Sequence, residues 1–258
     1  RHAGRRDRHR AASLRNEPLR QRHLSQQLPR RPAEARDARV REQREYHPQR
    51  VRLAEEQQRG AADRAARRAD LFQLLKDLGA KIETGSSPSS NALCLVAPLG
   101  FDVTTVAVVE RLDPARTLGI DLLFADAATR RRVLATNPAT REDMRHAAHA
   151  LFARDGKAVS VIRDSGGFVT QRVVANMVNI ACDICQQQIC TPQDLELAVT
   201  LGLGYPMGPL AMGDLLGPDN VLETLFNLQT VYGDPRYRPS PWLRRRGAIG
   251  LSLTHVEV

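Results

Sequence analysis

The sequence lacks several features that would place it in other classes of protein. Across its 258 residues there is no run of eighteen apolar residues, so we expect no transmembrane helix. Its four cysteines are separated by irregular gaps, which does not indicate a disulfide framework, and we expect a reduced, cytoplasmic setting. The chain begins with Arg1 and no apolar signal core follows, so we expect a fragment without an export signal.

The formal net charge of +9 comes from the beginning of the chain alone. Residues 1–70 contain 20 arginines, no lysine and 10 acidic residues, whereas the rest of the chain carries 18 basic and 19 acidic residues. Because the remainder is close to neutral, its charge argues against nucleic acid as a partner.

Apolar residues are scarce in the same basic segment. Residues 1–70 contain only seven Leu, Ile, Val, Met or Phe residues, too few to offset the entropy of ordering the chain. We therefore predict that residues 1–69 are disordered or form a solvated helix. Two alternatives stay open: a nucleic-acid-binding arm, and a non-native segment produced by a reading-frame error or a misjoined fragment. In the latter case, another reading frame of the DNA should show hydrophobic alternation.

From Asp70 the sequence alternates between strand and helix patterns. Strands are predicted from apolar runs at 80–83, 92–97, 116–124, 133–135 and 158–162. Helices are predicted from amphipathic patterns at 71–78, 103–112 and 140–152. This alternation predicts an α/β domain over residues 70–163, with a partial, Rossmann-like sheet that is parallel or mostly parallel.

A long helix is predicted from Ser165 to Cys185. Its apolar residues recur every three or four positions and so share one broad face; they are Val169, Val173, Val174, Met177, Val178, Ile180, Ala181, Ile184 and Cys185. Its narrow polar face is predicted to hold Arg172, Asn176, Asn179 and Asp183. Because so apolar a helix needs cover, we predict that the segments after it pack over that broad face.

Those following segments carry clear helix start signals. Thr191 and Pro192 suit the N-cap and first position of a helix that ends near Gly202. Gly208-Pro209 predicts a second helix start, and Asp219 predicts the cap of a helix over 221–231. Residues 164–258 are therefore predicted to form an all-α domain.

Three strings in this domain resemble a known family. Asp164-Ser-Gly-Gly-Phe168 before the long helix, Gly202-Leu-Gly-Tyr-Pro-Met-Gly-Pro209, and Arg238-Pro-Ser-Pro-Trp-Leu243 are similar to the C-terminal helical domain of 3-hydroxyacyl-CoA dehydrogenases, over about residues 157–253. In that family the domain dimerises and closes over the acyl-CoA, and an N-terminal Rossmann domain binds NAD. The resemblance implies a homodimer through residues 164–231. It implies substrate-binding roles for Ser165, Phe168, Gln171, Tyr205, Pro206, Gly208 and Pro209.

The family's catalytic positions are altered in this chain. The resemblance places Asp121, within Gly119–Phe124, where the family has the histidine that acts as general base. The glutamate that orients this base falls near Val133. Gln171 takes the place of the asparagine that helps to hold the substrate carbonyl, with a side chain one methylene longer. We therefore assign no catalytic residue in this chain.

The phosphate-binding turn of a Rossmann domain is also missing. No Gly-x-Gly-x-x-Gly string occurs, and the nearest approach, Gly202-x-Gly204, lies between predicted helices. NAD is expected in the complete enzyme but not on this chain alone. Cys182, Cys185 and Cys190 are interpreted as packing residues rather than metal ligands, and no metal site is predicted.

We interpret the chain as the second, degenerate copy in a tandem dehydrogenase, inactive alone, with a complete copy upstream carrying the chemistry. The resemblance implies NAD-dependent oxidation of 3-hydroxyacyl-CoA to 3-oxoacyl-CoA, in fatty-acid β-oxidation or in aromatic-acid degradation of the phenylacetate type. The alternative is a non-catalytic module that dimerises or contacts acyl-CoA within a larger protein.

Overall fold

The computed structural model describes residues 50–53, 61–83, 89–123 and 129–257. All of them belong to one compact unit. Most of the segment predicted to be disordered or non-native, residues 1–49 and 54–60, lies outside the described residues. The possible nucleic-acid-binding arm lies there too.

The prediction for this segment needs correction at one place. Residues Arg50–Leu53 form strand β1, which pairs with a neighbour on each side. Helix α1 covers Ala61–Asp77 and so begins before Asp70, in the segment for which a solvated helix was one of the alternatives. The reason is local: Arg-Val-Arg-Leu alternates, and Val51 is fully buried in the sheet. A low apolar content averaged over 70 residues conceals a strand of four.

The α/β region (residues 50–163) contains a six-stranded sheet. Its order is β2-β1-β3-β4-β5-β6. The strands are β1 (Arg50–Leu53), β2 (Lys81–Glu83), β3 (Leu93–Val96), β4 (Thr117–Ile120), β5 (Arg131–Thr136) and β6 (Ala158–Ile162). Four of the five pairings are parallel, and only β4 and β5 run antiparallel. The predicted partial, mostly parallel sheet is therefore confirmed, as a mixed sheet.

Helices cover both faces of this sheet, which explains why β3 and β4 are buried throughout. On one face, α1 and α3 (Glu142–Phe152) pack on Leu93, Leu95 and Leu118. On the other, α2 (Val103–Val109) packs on Val96 together with Phe168 from the helical part of the chain. Successive strand residues thus point into different cores, as the twofold period of a strand requires.

The helical region (residues 164–257) follows β6. Its helices are α4 (Thr170–Gln186), α5 (Pro192–Leu203), α6 (Pro209–Leu216), α7 (Pro218–Tyr232) and α8 (Pro241–Ile249). The long helix begins at Thr170, not at Ser165, because Gly167 and Phe168 have φ of 67° and 49°, which a right-handed helix does not allow. Asp219 lies inside the first turn of α7, which begins at Pro218, so its prediction as the cap is also wrong.

The segments after α4 cover one of its faces, as predicted. Helices α6, α7 and α8 pack against it, and Leu253, which follows α8, closes the same core. The buried members of this core are Val174, Ala175, Val178, Ala181, Cys182, Cys185, Leu195, Leu210, Val221, Leu225, Leu228, Tyr237, Trp242, Leu243 and Leu253. Helix α4 is therefore the element on which α6, α7 and α8 pack.

The other apolar residues of α4 form an uncovered stripe. Val169, Val173 and Ile180 are 51%, 60% and 58% exposed, and Met177 and Ile184 beside them are half-buried. Their steps of four, four, three and four residues keep all five on one side of the helix. The prediction that these residues are covered is wrong for Val169, Val173 and Ile180, because periodicity shows which residues share a face but not what packs on it.

One predicted surface residue of α4 is buried instead. Asn179 is 2% exposed; its amide nitrogen donates to the Arg238 carbonyl, and its oxygen accepts from the Ser240 N–H. It therefore ties α4 to the segment that precedes α8. A side chain that can satisfy two backbone groups belongs in such a place, although its polarity suggested the surface.

Asp164 joins the two regions where β6 ends. Its carboxylate accepts from the backbone N–H of Val103 at 2.8 Å, from that of Thr104 at 3.0 Å, and from the Thr104 hydroxyl. These bonds satisfy free N–H groups in the first turn of α2, so the Asp164 side chain ties the end of β6 to that helix. None of the helices in the described ranges has both the length and the apolarity to span a bilayer.

Candidate functional site

The structure brings together two positions that lie 50 residues apart in the sequence. Asp121 directly follows β4, and its N–H donates to the Val133 carbonyl of β5 at 3.0 Å. Gln171 lies in the first turn of α4 and is completely buried. Its amide nitrogen donates to Asp121 Oδ1 at 2.9 Å. The residues placed by resemblance at the base and carbonyl-binding positions are therefore direct hydrogen-bond partners.

Gln171 also contacts the loop after β3. Its nitrogen donates a second hydrogen bond, to the Pro98 carbonyl at 3.1 Å, and its oxygen accepts from the Gly100 N–H at 2.9 Å. An amide has two N–H donors, and both are occupied here. A substrate carbonyl would therefore have to displace Pro98 or Asp121 to bind this side chain.

Burial raises the pKa of the half-buried Asp121 carboxyl. Hydrogen bonds from Gln171 and from the Leu123 N–H, which lies 3.1 Å from Oδ1, act in the opposite direction but do not cancel the effect of burial. Asp121 thus holds its proton to a higher pH than an ordinary aspartate. Its partner at the position of the family glutamate is Val133, whose side chain has no charge with which to orient a base.

The turn before α4 holds Ser165 and Phe168. Phe168 is 1% exposed and packs against Gly119, where a Cβ would lie 3.1 Å from its ring. The Ser165 hydroxyl accepts from Arg172 Nη2 at 2.8 Å, and the same guanidinium donates to the Phe168 carbonyl at 3.0 Å. Arg172 thereby stabilises the left-handed backbone of Phe168.

The Gly-Tyr-Pro-Met-Gly-Pro string forms a different site, the entry to α6. Glu196 of α5 places its carboxylate over this entry and accepts from the N–H groups of Leu210 at 2.7 Å and Ala211 at 3.2 Å. A Cβ on Gly208 would overlap that carboxylate, so a larger residue there would require the Glu196 side chain to shift. Gly208 and Pro209 are buried, whereas Tyr205 and Pro206 are exposed.

Two separate cavities accompany these two groups of residues. Asp121 lines one of about 740 Å³, together with apolar side chains from the ends of β4 and α6, namely Ile120, Leu122, Leu123, Leu215 and Leu216. Gly208 lines another of about 400 Å³, beside Glu196 and Thr254. The structure thus groups Ser165, Phe168 and Gln171 near one site and Tyr205, Pro206, Gly208 and Pro209 at another. Their roles in substrate binding stay predictions.

Several residues at these sites were missed from the sequence. Pro98 and Gly100 contact Gln171, Asn227 contacts the Leu99 carbonyl at 2.8 Å, and Glu196 caps α6. The signal for the first two was available, since a loop that directly follows a buried strand is a common place for functional groups. Glu196 in α5 and Asn227 in α7 could not be recognised from the sequence, because no local pattern marks them.

The interpretation of the cysteines as packing residues is confirmed for Cys182 and Cys185. Both are buried in the core beneath α4. Burial raises the pKa of Cys185 to about 11 and raises that of Cys182 further. A thiol must lose its proton to bind a metal, so these two side chains are poorly suited to do so.

These features define a class of protein: a Rossmann-like α/β layer followed by an all-α domain whose first helix reaches the sheet edge. Residues 167–252 match the family model described as 3-hydroxyacyl-CoA dehydrogenase, C-terminal domain. Over these residues the chain is similar to that domain, and the resemblance stated from its three strings is confirmed.

Curated relatives agree with this assignment. The 3-hydroxyadipyl-CoA dehydrogenase of Escherichia coli (strain K12) is 43% identical over 96 residues, which make up 37% of this chain and 20% of that protein. A probable 3-hydroxybutyryl-CoA dehydrogenase of Bacillus subtilis (strain 168) is 31% identical over 143 residues, 55% of this chain and 50% of that protein. The matches span half or less of these relatives.

A solved structure supports the fold. The (S)-3-hydroxybutyryl-CoA dehydrogenase PaaH1 from Ralstonia eutropha is similar with a TM-score of 0.60 and 23% sequence identity. The similarity covers 78% of this chain and 65% of that chain. It therefore extends beyond the helical region into the sheet.

Proposed function

We propose that this chain is the C-terminal part of a 3-hydroxyacyl-CoA dehydrogenase. In its complete form the enzyme oxidises 3-hydroxyacyl-CoA to 3-oxoacyl-CoA with NAD, in the cytoplasm, as part of β-oxidation or aromatic-acid degradation. The observation that carries the proposal is the 2.9 Å hydrogen bond between Asp121 and Gln171. These two residues occupy the family's base and carbonyl-binding positions, and they meet where α4 reaches the end of β4.

The chain alone is proposed to be inactive, because its residues do not supply the chemistry. Oxidation needs a base that takes the hydroxyl proton near neutral pH. An aspartate is ordinarily a weaker base than a histidine. Val133 also gives Asp121 no carboxylate partner. Both amide hydrogens of Gln171 already bind protein oxygens.

The residues present do not fit the pyrophosphate of NAD either. In open α/β sheets the ligand binds in a crevice at the point where the connections from two adjacent strands run to opposite sides of the sheet. Strand β1, which lies between β2 and β3, is at such a point. The sequence after β1 is Ala54-Glu-Glu-Gln-Gln-Arg-Gly60, with a single glycine and two carboxylates. Such a sequence lacks the closely spaced glycines that allow backbone N–H groups to approach a pyrophosphate. We therefore derive no catalytic step through NAD on this chain.

A tandem arrangement places the missing chemistry in a complete copy upstream. It is supported by the lengths of the relatives: 96 residues are 20% of the E. coli protein, whereas 143 residues are 50% of the B. subtilis protein. The former is therefore more than one and a half times as long as the latter. It is also the more similar of the two over the residues matched, at 43% against 31% identity.

The residues predicted to bind substrate fall into two groups, one accessible to solvent and one buried. We propose that the exposed Tyr205 and Pro206 and the half-buried Ser165 contact the acyl-CoA directly. The buried residues Phe168, Gly208 and Pro209 shape the wall behind them. In this proposal Gln171 supports the wall through its protein hydrogen bonds and does not bind the substrate.

We also propose a homodimer through residues 164–231. The exposed stripe of α4 supports it, since Val169, Val173 and Ile180 leave apolar surface in water on one side of the helix. The same stripe supports the alternative function, a non-catalytic dimerisation or acyl-CoA-contacting module. The two candidates differ in turnover and not in assembly.

An absorbance assay separates these possibilities. With acetoacetyl-CoA and NADH, a longer product that includes the coding sequence upstream of Arg1 should consume NADH, whereas the present chain should not. Turnover by the present chain would overturn its assignment as a degenerate copy. A longer product without turnover, which nevertheless retains acetoacetyl-CoA in equilibrium dialysis, would favour the non-catalytic module.

A further inference from the structure

The loop Pro98–Phe101 is held between two helices of the helical region. From α4, Gln171 bonds to Pro98 and Gly100, and the Gly167 N–H just before that helix donates to the Phe101 carbonyl at 3.4 Å. From α7, the Asn227 amide donates to the Leu99 carbonyl at 2.8 Å. Four consecutive residues after β3 are thus each bonded to the helical region.

The packing at the centre of this loop leaves no room for a side chain. A Cβ on Gly100 would overlap the Thr224 carbonyl oxygen and lie 2.8 Å from Asn227 Cβ. The φ of Gly100, 76°, also favours glycine. The loop therefore lies directly against the backbone of α7, closer than any other residue type would permit.

The same Gln171 amide reaches a second strand. Besides the loop after β3, it binds Asp121 at the end of β4, so one buried side chain joins two adjacent strand ends to α4. No hydrogen-bonding position of its NH₂ group remains for a ligand. Because it is completely buried, breaking these bonds without a replacement carries the full cost of desolvation.

We propose that Gln171 and the Pro98–Phe101 loop form an inter-region clamp, which fixes the helical region on the sheet in one arrangement. By resemblance, Gln171 lies at a position that contacts the substrate in the family. In this chain its hydrogen bonds instead prevent the two regions from opening and closing. This proposal does not depend on the proposed function, since it concerns only contacts within the chain.

Hydrogen exchange at the Gly100 N–H tests the clamp in the unmodified chain. Gly100 lies in a loop, where an amide ordinarily exchanges quickly, but its N–H is bonded to the buried Gln171. We expect it to be protected to the same degree as the amides of β3 and β4. Exchange at the rate of an exposed loop would overturn the proposal without any variant.

A matched pair of variants tests the role of the side chain. Gln171→Met keeps the length but removes the hydrogen bonds, and Gln193→Ala removes an exposed glutamine of α5. We expect Gly100 exchange to rise about tenfold or more in Gln171→Met and to stay unchanged in Gln193→Ala, as the loss of a net-stabilising hydrogen bond implies. Equal exchange in both variants would contradict the clamp.

A distance measurement distinguishes a clamp from a merely local contact. Spin labels at Arg145→Cys in α3 and Arg245→Cys in α8, with Cys190→Ser to prevent unwanted labelling, report on both regions from exposed positions. We expect one narrow distance distribution in the parent chain and a broader one with Gln171→Met. If Gln171→Met does not fold, Asn227→Ala, which removes only the bond from α7, is expected to broaden the distribution to a smaller extent. An unchanged distribution in the folded variant means that the regions are fixed by other contacts, and the proposal fails.

Discussion

Asp121 combines a carboxyl group with a half-buried position at the end of a strand. Burial raises its pKa in the folded chain, so between the unfolded and folded pKa values the folded state binds more protons than the unfolded state. Its contribution to stability is therefore fully present below the unfolded pKa and is lost as the pH rises through the folded pKa. At neutral pH the ionised carboxylate lowers the free energy of unfolding.

Asp121→Asn should consequently stabilise the chain at pH 7, because asparagine keeps an oxygen acceptor for Gln171 and Leu123 but has no charge to bury. The gain should shrink as the pH falls towards the unfolded pKa of about 4. Urea-unfolding midpoints across this range measure it. Asp155→Asn is the control with the opposite sign, since Arg132 lowers the pKa of Asp155 and that bond contributes its stability at neutral pH. A lower midpoint for Asp121→Asn at pH 7 would contradict this account.

At the level of single elements, the start of α6 depends on a side chain from another helix. Its N-cap residue, Gly208, has no side chain to accept a hydrogen bond, and Glu196 of α5 supplies the acceptor. Glu196→Ala should lower the free energy of unfolding by about 1 kcal/mol, the usual effect of losing a helix cap. Glu196→Gln should cost less, because one carbonyl oxygen remains. Thermal unfolding measures both, with Gln193→Ala as the unchanged control, and equal losses in the two Glu196 variants would contradict the cap.

The elements also show how far sequence patterns reach. The sequence predicted strands at Ala158–Ile162 and around Leu93–Val96, because a short apolar run between turn signals is typical of a buried strand. The start of α4 could not be predicted. It depends on the left-handed backbone of Phe168, which Arg172 stabilises, and the spacing of apolar residues does not indicate this conformation. At the site, the resemblance located Asp121 and Gln171. The contact of Gln171 with Gly100 depends on packing between segments 71 residues apart, which no local pattern encodes.

For the whole molecule, the stripe on α4 is the surface where assembly is expected. Its members follow the alternating steps of three and four residues that allow two helices to pack side by side. Helices α6, α7 and α8 already occupy the opposite face, so a partner is needed to cover the stripe. A stable interface buries roughly 800 Å² on each partner, which exceeds what one helix face offers, and therefore other exposed apolar residues are expected to contribute.

Two charged substitutions on this stripe test the dimer. Val173→Lys combined with Ile180→Lys places two cations in the expected interface, where burying them unpaired costs several kcal/mol. Both positions are more than half exposed in the single chain, so its thermal unfolding should change little. Light scattering after size exclusion should give a dimer for the parent chain and a monomer for the double variant. Val108→Lys, at an equally exposed valine of α2 away from the stripe, should leave the dimer intact. A parent chain that is monomeric at high concentration, or a dimer that survives both lysines, would show that the stripe is not the interface.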